Sequence, residues 1–235
     1  MFPGPLRLGS IFNRTENEIT DRGPLQQAVT YPTLSAAFFP KETVLRQALL
    51  VVSAVVFLAL AAQLSWNLPF SHAKDGEVVP ITGQTFAVLL IGALLGSRLA
   101  GVAIFSYMTV GVIGAPVFAD QGHFYTAFAG PSGGYIIGFF FAAILVGWLA
   151  ERGWDRSHWI VLAMLLGNAI LYVPGLIWLN AWTHVINIPG ADWSLTLDLG
   201  LWPFIAGDLA KLVAAALVLP AGWSLVKLIR NEPAD

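Results

Sequence analysis

The sequence predicts an all-α integral membrane protein that crosses the bilayer with six helices. Of its 235 residues, 57% are hydrophobic and only 11% are charged, whereas soluble domains average about 45–50% and about 25%. So few charged side chains cannot cover the surface of a soluble domain of this size, and a membrane location is therefore predicted. Apolar segments of about 17 to 25 residues, the length of a transmembrane helix, fill most of the chain.

The apolar segments define the predicted helices. They cover residues 44–66, 80–96, 99–118, 132–150, 158–180 and 202–226. Only Gly96-Ser97-Arg98 separates the second segment from the third. One continuous helix through both would far exceed a hydrocarbon core about 30 Å thick at a rise of about 1.5 Å per residue. We therefore predict a tight hairpin at this point.

The regions outside these segments complete the predicted domain organisation. Residues 1–40 contain five prolines and six charges and have no long apolar run, which is typical of a polar extension. This region lacks the early apolar stretch of a secretory signal. We expect an N-terminal cytoplasmic extension over residues 1–40, a membrane domain over 41–230 and a short tail over 231–235.

The charged loops predict the orientation. One set of loops holds ten of the 12 Lys and Arg residues, and the other set holds only Lys74 together with acidic residues. Cytoplasmic loops retain positive charge. Both termini are therefore expected in the cytoplasm, with the acidic loops outside.

Composition also excludes several classes of function. The chain has no cysteine, which excludes disulfides, thiol catalysis and thiolate metal sites. A net charge of −2 offers no basic surface for nucleic acid. No phosphate-binding loop of the G-x-x-x-x-G-K-[ST] type occurs, so any ATP chemistry would come from partner subunits. No His or carboxylate pair has metal-ligand spacing in an apolar segment, and no cofactor or metal is expected.

The most informative polar residues in the apolar segments are Asp208 and Lys211. Their spacing of three places both on one helix face. Ionisable side chains inside a membrane cost about 2.5 to 3.5 kcal/mol each and normally face a cavity or each other. The pair is interpreted either as an ion pair that closes a packing seam or as the polar part of a ligand site. Asp can accept ligand N–H groups, and Lys can donate to a ligand carbonyl or carboxylate.

A second cluster is the sequence Gly130-Pro131-Ser132-Gly133-Gly134-Tyr135. Ser132 is predicted to cap the following helix, and the glycines permit close backbone approach of a ligand. Alternatively, Gly134 and Gly138 form a small-residue pair for helix packing, as we infer for Gly92 and Gly96. The G-x-S-G pattern also suggests an intramembrane serine hydrolase, but no histidine is placed on an opposing helix to activate Ser132.

The remaining candidates lie near the predicted outer ends of the helices. Gln84 and Phe86 follow Pro80 at the start of the second segment, and Phe118 ends the third. With Tyr135 and the pair Asp208 and Lys211, they would surround one outward-facing pocket.

These stretches together resemble the BioY family, the biotin-specific S components of energy-coupling-factor (ECF) vitamin transporters. The resemblance covers residues 44–228 in matching order and spacing. It is carried by Pro80-Ile81-Thr82, Gln84-Thr85-Phe86, Gly92-Ala93-Leu94-Leu95-Gly96 with Arg98, Gly114-Ala115-Pro116-Val117-Phe118, Gly130-Pro131-Ser132-Gly133-Gly134-Tyr135, Gly175 with Trp178-Leu179, and Gly207-Asp208-Leu209 with Lys211.

The resemblance implies a six-helix ECF S-component fold that binds biotin outside and releases it inside. The partners it implies are an ECF scaffold transmembrane subunit and two ATP-binding subunits. It implies no enzyme activity and a location in the cell membrane. Another vitamin, or an intramembrane serine hydrolase, is the alternative function. The substrate-binding residues it implies, with those of the predicted pocket, are Asp208, Lys211, Tyr135, Gly134, Gln84, Phe86, Phe118 and Gln121.

Two features depart from the family pattern. The external loop that covers the ligand maps onto residues 119–128, where several of the usual glycines are missing and Gln121 or His123 would supply the polar group. Residues 44–66 contain no two alanines four apart, the pattern that S components use to dock on a shared scaffold.

Overall fold

A computed structural model describes residues 31–66, 79, 81–122 and 127–230 of the chain. The N-terminal 30 residues, the loop with Lys74, His123 and the predicted tail lie outside the described residues. The helices are α1 Leu34–Phe38, α2 Val44–Gln63, α3 Gln84–Val112, α4 Gly133–Ala150, α5 Trp159–Val185, α6 Trp193–Gly200 and α7 Trp202–Arg230. A two-residue antiparallel pair, β1 Ser65–Trp66 and β2 Ile81–Thr82, joins α2 to α3.

Five stretches of the described chain are long and apolar enough to cross a membrane: α2, α3, α4, α5 and a continuous run through α6 and α7. Their side chains are partly buried against one another and partly exposed. The predicted all-α membrane architecture is confirmed.

The hairpin predicted at Gly96 is present within α3. Gln84 Nε2 at the start of α3 donates a hydrogen bond to the Tyr107 hydroxyl at 2.8 Å. A straight helix would separate these residues by about 35 Å, so α3 must fold back on itself. The reversal lies at Gly96, where φ is +80° and ψ is 171°. Glycine adopts this left-handed backbone without the penalty that a Cβ imposes. With the two arms of α3 taken separately, residues 31–230 as described contain six apolar helical segments in place of five.

Glu151 holds the hairpin from the end of α4. Its carboxylate accepts the Ser97 backbone N–H at 2.7 Å and the Ser97 hydroxyl at 3.0 Å. A free N–H at a helix start is stabilised by a negative charge. A Cβ on Gly96 would lie 2.5 Å from the same carboxylate. Glycine is therefore required here for space as well as for conformation.

Small residues bring the central helices together. A Cβ on Gly92 would lie 2.7 Å from the Ala143 carbonyl oxygen in α4, and one on Gly138 would lie 2.6 Å from the Leu171 carbonyl oxygen in α5. Such distances allow the backbones to approach closely, as in other membrane helix pairs. The packing interpretation of these glycines is confirmed.

A buried carboxylate ties α7 to the short turn between α4 and α5. Asp155 in the 3₁₀ turn Trp154–Arg156 is fully buried and accepts the Trp223 indole N–H at 2.6 Å through Oδ2. Within the described part of the chain, its Oδ1 atom has no hydrogen-bond partner. Burial raises the pKa of Asp155 to about 6, and the hydrogen bond from Trp223 partly opposes this shift.

Two short helices were not predicted from the sequence. Thr33 caps α1 by accepting the Ala36 backbone N–H, and Leu34 is buried with α1 packed against α3 and α7. Asp192 caps α6 by accepting the Leu195 backbone N–H at 2.7 Å. Helices of five and eight residues are too short to show a clear apolar period.

Several predicted ends also differ from the structure. The second arm of α3 ends at Val112 rather than at 118, because the chain turns through Gly114 at φ +106°. At their C-terminal ends, α5 continues past 180 to Val185, and α7 past 226 to Arg230.

Candidate functional site

A cavity of about 520 Å³, including space open to solvent, lies among α3, α4, α5 and α7. Most of the lining is apolar or aromatic, with a few hydroxyl and amide groups. The lining residues are Val79, Thr82, Gln84, Thr85, Phe118, Ala119, Ala127, Ser132, Tyr135, Ile136, Phe139, Leu171, Tyr172 and Phe204.

Asp208 and Lys211 form an ion pair beside this cavity. Lys211 Nζ lies 3.1 Å from Asp208 Oδ1. The Lys211 side chain exposes 20% of its surface and the Asp208 side chain exposes 9%. Successive turns of α7 place both on one face, as the spacing predicted. The pair is desolvated, so each charge depends on its hydrogen-bond partners.

Both charges are fully engaged with neighbouring groups. Lys211 Nζ also donates to Thr85 Oγ1 at 2.6 Å and to the Thr82 carbonyl oxygen at 3.3 Å. Asp208 Oδ2 accepts the Tyr172 hydroxyl at 2.5 Å. The ion pair thereby links the start of α3 to α5 and α7.

The pair contacts residues of the cavity wall. Asp208 and Lys211 are not among the lining residues, whereas Tyr172 and Thr85, which they contact, both line the cavity. Tyr172 and Thr85 thus connect the ion pair to the cavity wall.

Gln84 anchors a second polar network. Its Nε2 donates to the Tyr107 hydroxyl at 2.8 Å, which in turn donates to the Val117 carbonyl oxygen at 2.9 Å. Its Oε1 accepts the Thr82 hydroxyl at 3.1 Å. This network fixes Gln84 and ties the hairpin of α3 to the segment that leads to Phe118.

Aromatic rings form the other wall of the cavity. Tyr135 meets Tyr172 edge to face, with ring centroids 6.1 Å apart, and stacks on Phe204 at 6.5 Å. The Tyr135 hydroxyl donates to the Gly200 carbonyl oxygen at 2.9 Å. Phe118 packs edge to face on Tyr107 at 5.3 Å. Such a wall suits a small ligand with an apolar body and a few polar atoms.

Comparison with known proteins places this architecture in a family. The model of the BioY family matches residues 31–228. The chain belongs to the BioY family. "Biotin transporter BioY" of Thermotoga maritima is 32% identical over 169 residues, which are 72% of this chain and 92% of that protein. "Biotin transporter BioY" of Rhodobacter capsulatus is 36% identical over 174 residues, covering 70% and 90% of the two chains.

A solved structure supports the fold of this BioY chain. It is described as the "S-component for biotin from an ECF-type ABC transporter" at 2.1 Å, and it superposes with a TM-score of 0.60. The match covers 83% of this chain and 97% of that one at 23% identity. The predicted resemblance and the S-component fold are confirmed.

The structure places the eight predicted site residues in three settings. Gln84, Phe118 and Tyr135 line the cavity. Asp208 and Lys211 contact the lining residues Tyr172 and Thr85. The other three, Gly134, Phe86 and Gln121, are not among the lining residues.

Gly134 has a packing position. A Cβ on Gly134 would overlap the Pro174 carbonyl oxygen and the Trp178 Cβ of α5, so this glycine permits the contact between α4 and α5. Phe86 is half-buried, and Gln121 is exposed with φ +57°. The Gln121 backbone N–H donates to Gln63 Oε1 at 3.2 Å, which holds the described part of the predicted lid on α2.

Ser132 differs from the prediction in one respect. It precedes α4 at the capping position and lines the cavity, but its side chain makes no capping hydrogen bond. Its φ of −84° and ψ of −7° are helical, whereas a capping serine adopts extended backbone. The predicted side-chain cap is therefore wrong.

Tyr172 and Thr85 are the polar lining residues that the sequence analysis missed as ligand-site candidates. Tyr172 lies in the middle of an apolar helix. A hydroxyl group in such a segment could have identified Tyr172 as a candidate site residue. Thr85 lies in the first turn of α3 beside Gln84. Their link to Asp208 and Lys211 crosses 36 and 126 residues of sequence, so spacing along the chain could not indicate it.

Proposed function

We propose that this chain binds biotin with high affinity and takes part in its uptake as the substrate-specific component of an ECF-type transporter. The observation that carries the proposal is the cavity with the Asp208–Lys211 pair hydrogen-bonded to its lining residues, in a member of the BioY family. A desolvated charge pair fixed by neighbouring hydroxyl groups is costly to maintain in a membrane and is a functional site by default.

The chemistry of the cavity suits biotin. The ligand has an apolar bicyclic body, a urea with N–H donors and a carbonyl acceptor, and a carboxylate on a flexible chain. Aromatic rings of Tyr135, Phe204 and Phe118 would cover the apolar body. The polar groups near Asp208 and Lys211 would bind the urea.

We propose that the urea enters first and that the carboxylate stays near the outer opening. Asp208 would repel a carboxylate placed beside it, which favours this orientation over the reverse. Biotin amide should then bind only modestly less tightly than biotin, because the change is confined to the outer end. If the amide fails to compete while protonated iminobiotin competes well, the orientation is reversed.

We also propose the partners and location that such a component needs. The chain has no nucleotide-binding loop of the P-loop type, so ATP hydrolysis would be supplied by two ATP-binding subunits through an ECF scaffold subunit. The bilayer would be the cell membrane, with both chain termini in the cytoplasm. On this proposal the chain itself catalyses no reaction.

A competition experiment tests the assignment of substrate. Purified protein in detergent is saturated with radiolabelled biotin, and unlabelled biotin, thiamine and riboflavin are each added in excess. We expect displacement by biotin alone. Displacement by another vitamin at lower concentration than by biotin would assign the chain to a different substrate.

A further inference from the structure

We propose that the groove between the second arm of α3 and α4 binds an anionic phospholipid, and that Arg98 holds the phosphate of its headgroup. Apolar residues form most of the groove, and Arg98 lies at one end of it. The groove shares no lining residue with the cavity of the candidate site. The proposal therefore goes beyond the proposed function and does not depend on which vitamin the chain binds.

The shape of the groove fits an acyl chain. Gly101 has no side chain, and Ile144 of α4 lies over it, with Cγ1 3.2 Å from where a Cβ would stand. Beside it, Val102 and Phe105 line the groove and are 50% and 62% exposed. From Arg98 to Phe105 the groove extends about 10 Å along the helix. One leaflet of a hydrocarbon core about 30 Å thick has a similar depth.

The charged end of the groove lies at a membrane surface. Arg98 follows by two residues the backbone reversal at Gly96, which joins two membrane-crossing arms and so lies at a membrane face. Trp148 is one turn beyond Ile144 on α4 and is partly exposed, as is typical of tryptophan at the membrane–water interface. The groove thus begins at the level of the headgroups and descends into the hydrocarbon, which is the layout of a phospholipid. On the proposed orientation this end faces the cytoplasm.

Arg98 is available to bind a phosphate. Its side chain is exposed, and within residues 31–66, 79, 81–122 and 127–230 it makes no hydrogen bond or ion pair. Arg152 is already engaged, because it stacks on Trp148 with Cζ 3.5 Å from the ring centroid and donates to the Trp148 carbonyl oxygen at 2.8 Å. A guanidinium group binds phosphate oxygens through parallel N–H bonds. Arg98 therefore has all its donors free for a headgroup.

The acidic group at the hairpin does not cancel this charge. The Glu151 carboxylate accepts the backbone N–H and the hydroxyl of Ser97, and two cations, Arg98 and Arg152, lie close to it in sequence. Charge complementarity therefore selects an anionic lipid over a zwitterionic one. A cation near an anionic membrane surface contributes about fivefold in affinity.

Lipid selectivity tests the role of Arg98. Native mass spectrometry of the full chain in detergent measures the Kd of the first bound phosphatidylglycerol and of phosphatidylcholine with the same acyl chains. The parent should bind phosphatidylglycerol at least fivefold more tightly. Arg98→Gln should reduce this preference below twofold, and Arg98→Lys, which retains the charge, should keep at least threefold. Lys41→Gln is the matched control, since Lys41 is an exposed cation outside the groove, and it should keep the preference of the parent.

Two further arms test the apolar part of the groove. Val102→Trp places a large side chain in the groove from its exposed wall and should weaken the binding of both lipids at least threefold. Glycerol 3-phosphate, which carries the phosphate without acyl chains, should not displace phosphatidylglycerol at a hundredfold excess. Thermal unfolding verifies that each variant is folded, and biotin affinity in Arg98→Gln should stay within twofold of the parent.

The proposal is overturned if the parent binds both lipids equally, if folded Arg98→Gln keeps the preference, or if glycerol 3-phosphate displaces the lipid. An equal loss of preference in Lys41→Gln would assign it to the overall surface charge and would overturn the proposal as well. A lipid-free dimer that the parent forms and folded Val102→Trp does not form would assign the groove to a second copy of the chain. Each of these results leaves biotin binding, which is measured separately, unaffected.

Discussion

Replacing either Asp208 or Lys211 should destabilise the helix bundle. Replacing both should lower the free energy of unfolding by less than the sum of the two single losses. The oppositely charged atoms lie 3.1 Å apart with side-chain exposures of only 9% and 20%. Removal of one partner from a buried pair costs about 3 kcal/mol because the other charge is left unpaired. We expect this loss for Asp208→Asn and for Lys211→Met alike.

The double variant has no unpaired charge left in the site. We therefore expect its loss of stability to fall about 2 kcal/mol or more below the sum of the two single losses. The measurement is the free energy of unfolding of all four proteins in mixed detergent, followed by tryptophan fluorescence. Strictly additive losses would refute the claim that the two charges stabilise each other.

Biotin binding gives a second, independent measurement on the same variants. Each single variant should bind biotin at least tenfold more weakly than the parent, since hydrogen bonds to charged groups contribute about 1.5 to 3 kcal/mol. In the double variant both charged groups of the site are gone, so binding should not recover with stability. Recovery of biotin affinity in the double variant would contradict the assigned role of the pair.

Three further perturbations test other parts of the account. The pKa of Asp155 is raised from 3.8 to about 6 in the folded protein, so the folded state holds this proton more tightly than the unfolded state. The free energy of unfolding should therefore fall by about 3 kcal/mol as pH rises from 4 through 6. Asp155→Asn should remove this dependence, and an unchanged pH profile in that variant would contradict it. Gly134→Ala should lower the free energy of unfolding by about 1–3 kcal/mol, because the added Cβ overlaps α5. Gly207→Ala is the control: a Cβ there meets nothing within 4 Å, so this variant should be neutral or slightly stabilised. Equal effects of the two substitutions would argue against the packing role of Gly134. Ser132→Ala should change biotin affinity less than fivefold, since the Ser132 side chain makes no capping hydrogen bond. Labelling of Ser132 by a fluorophosphonate probe would instead indicate a hydrolase.

The membrane architecture could be predicted because length and hydropathy constrain it strongly. The bilayer thickness alone required a reversal between residues 80 and 118, and Gly96 is the point where the backbone turns. The short helices α1 and α6 could not be predicted in this way. They are fixed by single capping residues, Thr33 and Asp192, and by packing, which leaves no periodic pattern.

The charged part of the site could be predicted, but its contacts could not. Asp208 and Lys211 share a helix, so their spacing identified them. The packing of α3 and α5 against α7 decides which side chains connect the pair to the cavity. Tyr172 and Thr85 reach the charged pair only through that packing. Gln121 and Gly134, which the family pattern named, stay predictions as ligand residues, and the structure shows their loop and helix contacts.

The most direct test of the central claim is an isothermal titration of the purified parent protein with biotin. A chain that binds biotin in one cavity should show saturable binding with a stoichiometry of one biotin per chain. A folded protein that shows no saturable binding of biotin would contradict the proposed function.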